Sequence, residues 1–110
     1  AVLVNDAYNA NPTSMAAALE AVAAMDAVRR VAVLGLMAEL ADSPDAHRRI
    51  AAQVEALGIE LIPVGTDLYG LDPVDYPVAA VGEIADGTVV LVKASRAAGL
   101  DRVADEILAR

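Results

Sequence analysis

The sequence predicts an α/β domain, a Rossmann-like three-layer sandwich built on a mostly parallel sheet, and three observations carry that prediction. Apolar runs of strand length alternate with stretches of helical period. The strongest runs, Val31-Ala32-Val33-Leu34 and Val89-Val90-Leu91-Val92, are apolar on both sides of the pleat, as befits strands covered on each face of a parallel sheet. The junctions into the first two helices carry capping residues and a well-placed proline, giving a β-α-β-α-β order with a closing β-α unit.

The first strand is expected over residues 2–5. A polar burst follows, with Asn5, Asp6, Tyr8, Asn9 and Asn11 all able to hydrogen-bond. Pro12 closes it at a first helical position, where its missing N–H costs nothing. The helix it opens starts near Asn11 or Thr13 and carries Met15, Leu19 and Val22 on one face. The second strand is expected over 31–36. Ser43 then reads as an N-cap, Pro44 as the first helical residue and Asp45 as a charge favoured by the helix dipole. Ile50, Val54 and Leu57 form the apolar stripe of this second helix, and Gly58 ends it. A third strand is expected over 60–64, a weaker one over 78–81, and a strong one over 88–93. The closing helix carries Leu100, Val103 and Ile107, with Arg110 in its last turn. The segment 67–87 holds Pro73 and Pro77 and little helical period, so it reads as a loop-like or edge-strand face.

Length and composition bound the function. A chain of 110 residues makes one domain, too small for a nucleotide-activating enzyme of several domains. There is no Phe, Trp or Cys, so Val, Leu, Ile, Met and Ala must build the core. Without Cys there is neither a disulfide nor a thiolate metal site, which fits a cytoplasmic setting. A net charge of −8 argues against nucleic acid or an anionic membrane as main partner, because both need a positive field. No apolar run approaches a membrane span of ~20 residues. The chain opens directly inside an apolar strand, which leads us to expect a piece of a longer protein.

In an open parallel sheet, ligands bind beyond the carboxyl ends of the strands. By that rule Asn5, Asp6, Tyr8 and Asn9 follow the first strand, Glu39 the second, Gly65, Thr66 and Asp67 the third, and Lys93, Ser95 and Arg96 the last. All four groups land on one edge. Arg29, Arg30, Ile59 and Asp86 fall on the other and read as ordinary connections. Lys93 is the one lysine among eight Lys and Arg residues. Keeping a compact ammonium where arginine is otherwise written suggests a functional position, the alternative being a lysine that snorkels from a strand end.

The segment Asp6-Ala7-Tyr8-Asn9-Ala10-Asn11-Pro12 resembles the opening of the C-terminal domain of the Mur ligases, most closely the MurF type of peptidoglycan synthesis. Two further segments match in order, Val33-Leu34-Gly35-Leu36-Met37-Ala38-Glu39-Leu40 and Val90-Leu91-Val92-Lys93-Ala94-Ser95-Arg96, so the resemblance covers nearly the whole chain. It implies an ATP-dependent amide ligase: ATP phosphorylates a carboxylate, and an incoming amine displaces the phosphate through a tetrahedral intermediate. The C-terminal domain closes over the ATP-binding central domain. On that analogy Asp6 is similar to the acidic residue near the ribose, and Tyr8, Asn9 and Asn11 face the nucleotide. Lys93, Ser95 and Arg96 resemble the segment that forms the amino-substrate pocket, where cations suit the carboxylate of D-alanyl-D-alanine. The second substrate is then the UDP-MurNAc-tripeptide, and Mg2+ accompanies the ATP.

Some residues depart from the family pattern. Ala94 stands where glycine is usual, and Leu36 where many relatives of this type have aspartate. No Gly-x-x-Gly-Lys-Thr-like phosphate loop occurs. That cradle and the metal ligands belong to the central domain of such ligases, and the 110-residue chain alone is expected to be inactive. His47, the sole histidine, reads as a solvated or capping residue rather than a ligand. Asp42, Asp45, Asp72, Asp75, Asp101 and Asp105 read as surface and helix-start charges, and Met15, Met25 and Met37 as core. The rival reading from another class is a self-standing Rossmann-like binding or interaction module. A glycine-rich dinucleotide turn would favour it, and the sequence has none.

Overall fold

The structure, a computed structural model, describes residues 2–6, 12–35, 37, 43–74, 80–82 and 85–93. Its elements are β1 (Val2–Asp6), α1 (Pro12–Ala24), β2 (Arg29–Leu34), α2 (Pro44–Ala56), β3 (Glu60–Pro63) and β4 (Thr88–Lys93). The strands form one parallel sheet in the order β1-β4-β2-β3. The chain thus steps from β1 across to β2 and on to β3, then returns to insert β4 between the first two.

Side-chain period decides the layers. Alternate residues of the central strands, Ala32, Leu34, Val89 and Leu91, face α1 and α2 and meet Met15, Leu19, Val22, Ile50 and Val54. The other alternation, Val31, Val33, Val90 and Val92, forms a second cluster with Ile62, Val74 and Val81. Strands buried on both faces are what continuous Val/Leu runs require. Both α1 and α2 connect strands while moving in one direction along the sheet, so right-handed crossovers put them on the same face. The return from β3 to β4 runs the opposite way, and Val74 and Val81 from that return lie on the opposite face, as the same handedness demands. The result is the Rossmann-like α/β arrangement.

The helix ends follow their local chemistry. Ser43 caps α2, its Oγ accepting from the Ala46 N–H at 3.4 Å, with Pro44 first in the helix and Asp45 in its first turn. At the other end Gly58 takes φ 69°. Its N–H donates to the Glu55 carbonyl and that of Ile59 to the Val54 carbonyl. This pair of bonds is a Schellman closure, with Ile59 packing back into the cluster that holds Val54. Helix α1 has no basic residue in its last turn. Arg30 of β2 supplies the charge instead, donating from Nε to the Val22 carbonyl (3.2 Å) and from Nη2 to that of Met25 (2.6 Å).

Boundaries differ from expectation in places. Strand β2 starts at Arg29 and ends at Leu34, two residues earlier at each end than the apolar run implies. Backbone pairing with Thr88 and Val89 recruits the two arginines into the ladder. The weak strand over 78–81 is not formed in its described part, since Ala80 and Val81 are helical. Val81 contributes a buried contact to the second cluster and no ladder hydrogen bond. The closing helix with Leu100, Val103 and Ile107 lies outside the described residues.

Candidate functional site

Because every strand runs the same way, the carboxyl ends collect at one edge, and their register can be read directly. Asp6 of β1 is the partner of Lys93 of β4, Lys93 is the partner of Leu34 of β2, and Leu34 is the partner of Pro63 of β3. The row Asp6–Lys93–Leu34–Pro63 therefore crosses the whole sheet at its last level. Two further backbone bonds carry it one step beyond the strands: Gly35 N–H to the Lys93 carbonyl (3.0 Å) and Val64 N–H to the Leu34 carbonyl (3.0 Å).

The residues expected at a site distribute along this edge. Asp6 ends β1 and Lys93 ends β4, side by side in the ladder. Thr66 and Asp67 follow β3. Thr66 is buried, and its Oγ1 accepts from the Leu68 N–H at 3.1 Å, folding the chain back after Gly65, which takes φ 70°. Tyr8, Asn9, Asn11, Glu39, Ser95 and Arg96 lie outside the described residues, as does the side chain of Asp6. Lys93 is fully buried, with 0% exposure. That overturns the snorkelling alternative, because a snorkelling lysine keeps its ammonium in water. A buried ammonium instead requires polar partners, and Lys93 has them.

For His47 the solvated alternative is corrected. It is not solvated; its exposure is 0%. Its place on α2 is in phase with Ile50 and Val54, the other buried residues of that helix. The ring Nε2 accepts the Met37 N–H at 3.1 Å, and Nδ1 lies 2.9 Å from the Ser43 carbonyl. A backbone amide can only donate, so Nε2 is the acceptor and the neutral ring carries its proton on Nδ1, donating to Ser43. Tyr69 stands edge-on to the imidazole, with centroids 5.0 Å apart at 71°. Its hydroxyl donates to the Gly35 carbonyl at 2.7 Å. Burial pushes the Tyr69 phenol well above its ordinary range, so it remains a donor. Sequence reasoning missed both residues. The period of α2 held the clue for His47, which sits three residues before Ile50 and seven before Val54 on the apolar stripe. Tyr69 lies in the irregular stretch after β3, where no period exists to place it.

Among the described residues no buried side-chain N or O lacks a hydrogen-bond partner. No group of three or more His, Cys, Asp or Glu among them could hold a metal ion. No helix among them is long and apolar enough to cross a membrane. A cavity of about 490 Å³ opens between α2, β3 and the stretch after β3, lined by Arg48, Ala52, Glu55, Leu61, Tyr69 and Leu71 among others.

Comparison with known proteins agrees with this architecture. A model of the Mur ligase, glutamate ligase domain matches residues 1–104. The UDP-N-acetylmuramoyl-tripeptide–D-alanyl-D-alanine ligase of Synechocystis is 33% identical over 129 residues, covering 98% of this chain and 28% of its own length. The enzyme of the same name from Mycobacterium tuberculosis is 37% identical over 145 residues, covering 97% and 28%. That from Escherichia coli is 34% identical over 121 residues, covering 93% and 26%. The chain thus spans little more than a quarter of these relatives. The crystal structure of MurF ligase from Thermotoga maritima in complex with ADP superposes with a TM-score of 0.80 at 24% identity, over 96% of this chain and 27% of that one.

Proposed function

Because the chain belongs to the Mur ligase family, matched over residues 1–104 by its glutamate ligase domain, we propose that it is the closing C-terminal domain of a MurF-type ligase. The whole enzyme would use ATP to join D-alanyl-D-alanine to the UDP-MurNAc-tripeptide in the cytoplasm. The observation that carries the reading is the register row Asp6–Lys93–Leu34–Pro63. It sets the end of β1 beside the end of β4 on the edge where parallel sheets bind ligands.

Each residue has a part in this reading. The loop after β1, with Asp6, Tyr8, Asn9 and Asn11, meets the nucleotide at its ribose and phosphates. The segment after β4 meets the carboxylate of the amino substrate, with Ser95 and Arg96 in contact and the buried Lys93 adding positive charge from within the sheet. Buried charge acts strongly on a ligand carboxylate because little water screens it. Closure of two domains would expel water and bring amine and acyl phosphate together. The metal and the phosphate cradle belong to the remainder of the ligase.

The test is ligation by the full-length protein that carries this chain. Given ATP, UDP-MurNAc-tripeptide and D-alanyl-D-alanine it should release phosphate, and omitting any of the three should abolish release. Phosphate release that ignores D-alanyl-D-alanine refutes the reading, and no release with all three refutes it and favours a non-catalytic binding module.

A further inference from the structure

We propose that His47 and Tyr69 are positioning residues that fix the β2–α2 connection against the Lys93 end of β4. The proposal rests on the ligase reading for the identity of the ligand and on geometry for the rest. One imidazole holds both ends of the connection: Nε2 takes the Met37 amide at 3.1 Å and Nδ1–H reaches the Ser43 carbonyl at 2.9 Å. Tyr69 holds the start of the same connection through the Gly35 carbonyl at 2.7 Å. Gly35 then passes the restraint on, since its own N–H donates to the Lys93 carbonyl at 3.0 Å.

Both side chains are buried, with Tyr69 at 3% exposure and His47 at 0%, and their rings pack against each other. A polar pair that serves only the core could be replaced by packed apolar residues at little cost. Here all three polar atoms instead address backbone, at Gly35 and Met37 just beyond the strand end that faces the ligands and at Ser43, the N-cap of α2. Bonds of this length in a dry setting hold their backbone partners tightly. Gly35, Met37 and Ser43 are therefore tied to move together with the end of β4. Loosening either ring should disturb the amino-substrate side of the site, where Lys93 ends its strand, and leave the nucleotide loop after β1 undisturbed.

The experiment has two arms. In the 110-residue chain, amide hydrogen exchange at Met37 should quicken tenfold or more in His47→Leu relative to the β2 amide of Val33. His47→Gln, which keeps an acceptor, should restore most of the protection. In the full-length ligase, His47→Leu and Tyr69→Phe should raise the KM for D-alanyl-D-alanine at least fivefold and leave the KM for ATP within twofold. Gly87→Ala, a destabilising change at the opposite edge of the sheet, should alter neither. Unchanged Met37 exchange in His47→Leu overturns the proposal, as does a KM for D-alanyl-D-alanine within twofold of the parent in both variants. If the parent protein shows no ligation while Met37 protection behaves as expected, the ligase reading fails and the backbone restraint stands.

Discussion

Replacing Gly87 by alanine should destabilise the domain by about 1 kcal/mol, and the reason lies in two competing effects at the turn into β4. Gly87 has φ 83°, and its carbonyl accepts from both Val28 (2.8 Å) and Arg29 (3.3 Å), joining the starts of β2 and β4. An L-residue in this left-handed region costs roughly 1–2 kcal/mol. A new Cβ would also stand 2.9 Å from Val28 Cγ2 and 3.3 Å from its Cβ. Val28 is 90% exposed, so its Cγ2 can rotate into solvent and only the milder Cβ contact remains. Against these, alanine restricts the unfolded chain and returns about 0.4–1 kcal/mol. The backbone term wins. For a domain of this size the loss corresponds to a Tm lower by roughly 4–8 °C. Urea titration followed by far-UV circular dichroism should show a lower midpoint with an unchanged m-value. Gly87→Asn separates the two effects, because asparagine carries the same Cβ but tolerates the left-handed region, and it should lose less than half as much. A loss below about 0.5 kcal/mol for Gly87→Ala, or an equal loss for Gly87→Asn, would refute the assignment of the cost to the backbone.

Three other outcomes are expected. Arg30→Ala should cost about 1–2 kcal/mol by uncapping the Val22 and Met25 carbonyls, and Arg30→Lys should recover less than half, since one ammonium cannot reproduce the guanidinium fork; urea midpoints measure both. Burial raises the pKa of Tyr69 above its ordinary value of 10.0, so the folded state keeps a proton that the unfolded state releases. Its contribution is complete below pH 10 and falls as pH rises beyond it; stability measured at pH 9 and pH 11 should drop more steeply in the parent than in Tyr69→Phe. In the full-length ligase Asp6→Ala should chiefly raise the KM for ATP, while Lys93→Ala and Arg96→Ala should chiefly raise that for D-alanyl-D-alanine. Loss of the charge-assisted contact of Arg96, about 1.5–3 kcal/mol, gives ten- to a hundredfold, the buried Lys93 acting through its charge alone, and steady-state kinetics that leave the latter KM within twofold would sink the pocket assignment.

Much of this domain is determined by local chemistry and can be read from the chain. Ser43, Pro44 and Gly58 mark the ends of α2 because caps and left-handed closures need those side chains, or none, at fixed offsets. Val89 to Val92 declare a strand buried on both faces because their apolar run leaves no polar side for water. The rule that ligands gather beyond strand carboxyl ends puts Asp6 and Lys93 on one edge before any coordinates are known. Strand order is another matter: nothing in the sequence of β4 says that it slips between β1 and β2, because parallel ladders are backbone bonds between distant segments. That insertion alone makes Asp6 and Lys93 neighbours. Arg29 and Arg30 read as a connection, yet pairing with β4 turns them into strand, and the proximity of α1 turns Arg30 into a cap. His47 belongs to the same class. Its position on the apolar stripe was written in the period of α2, but what the imidazole does depends on Met37, Ser43 and Tyr69, which only the packed fold brings within reach.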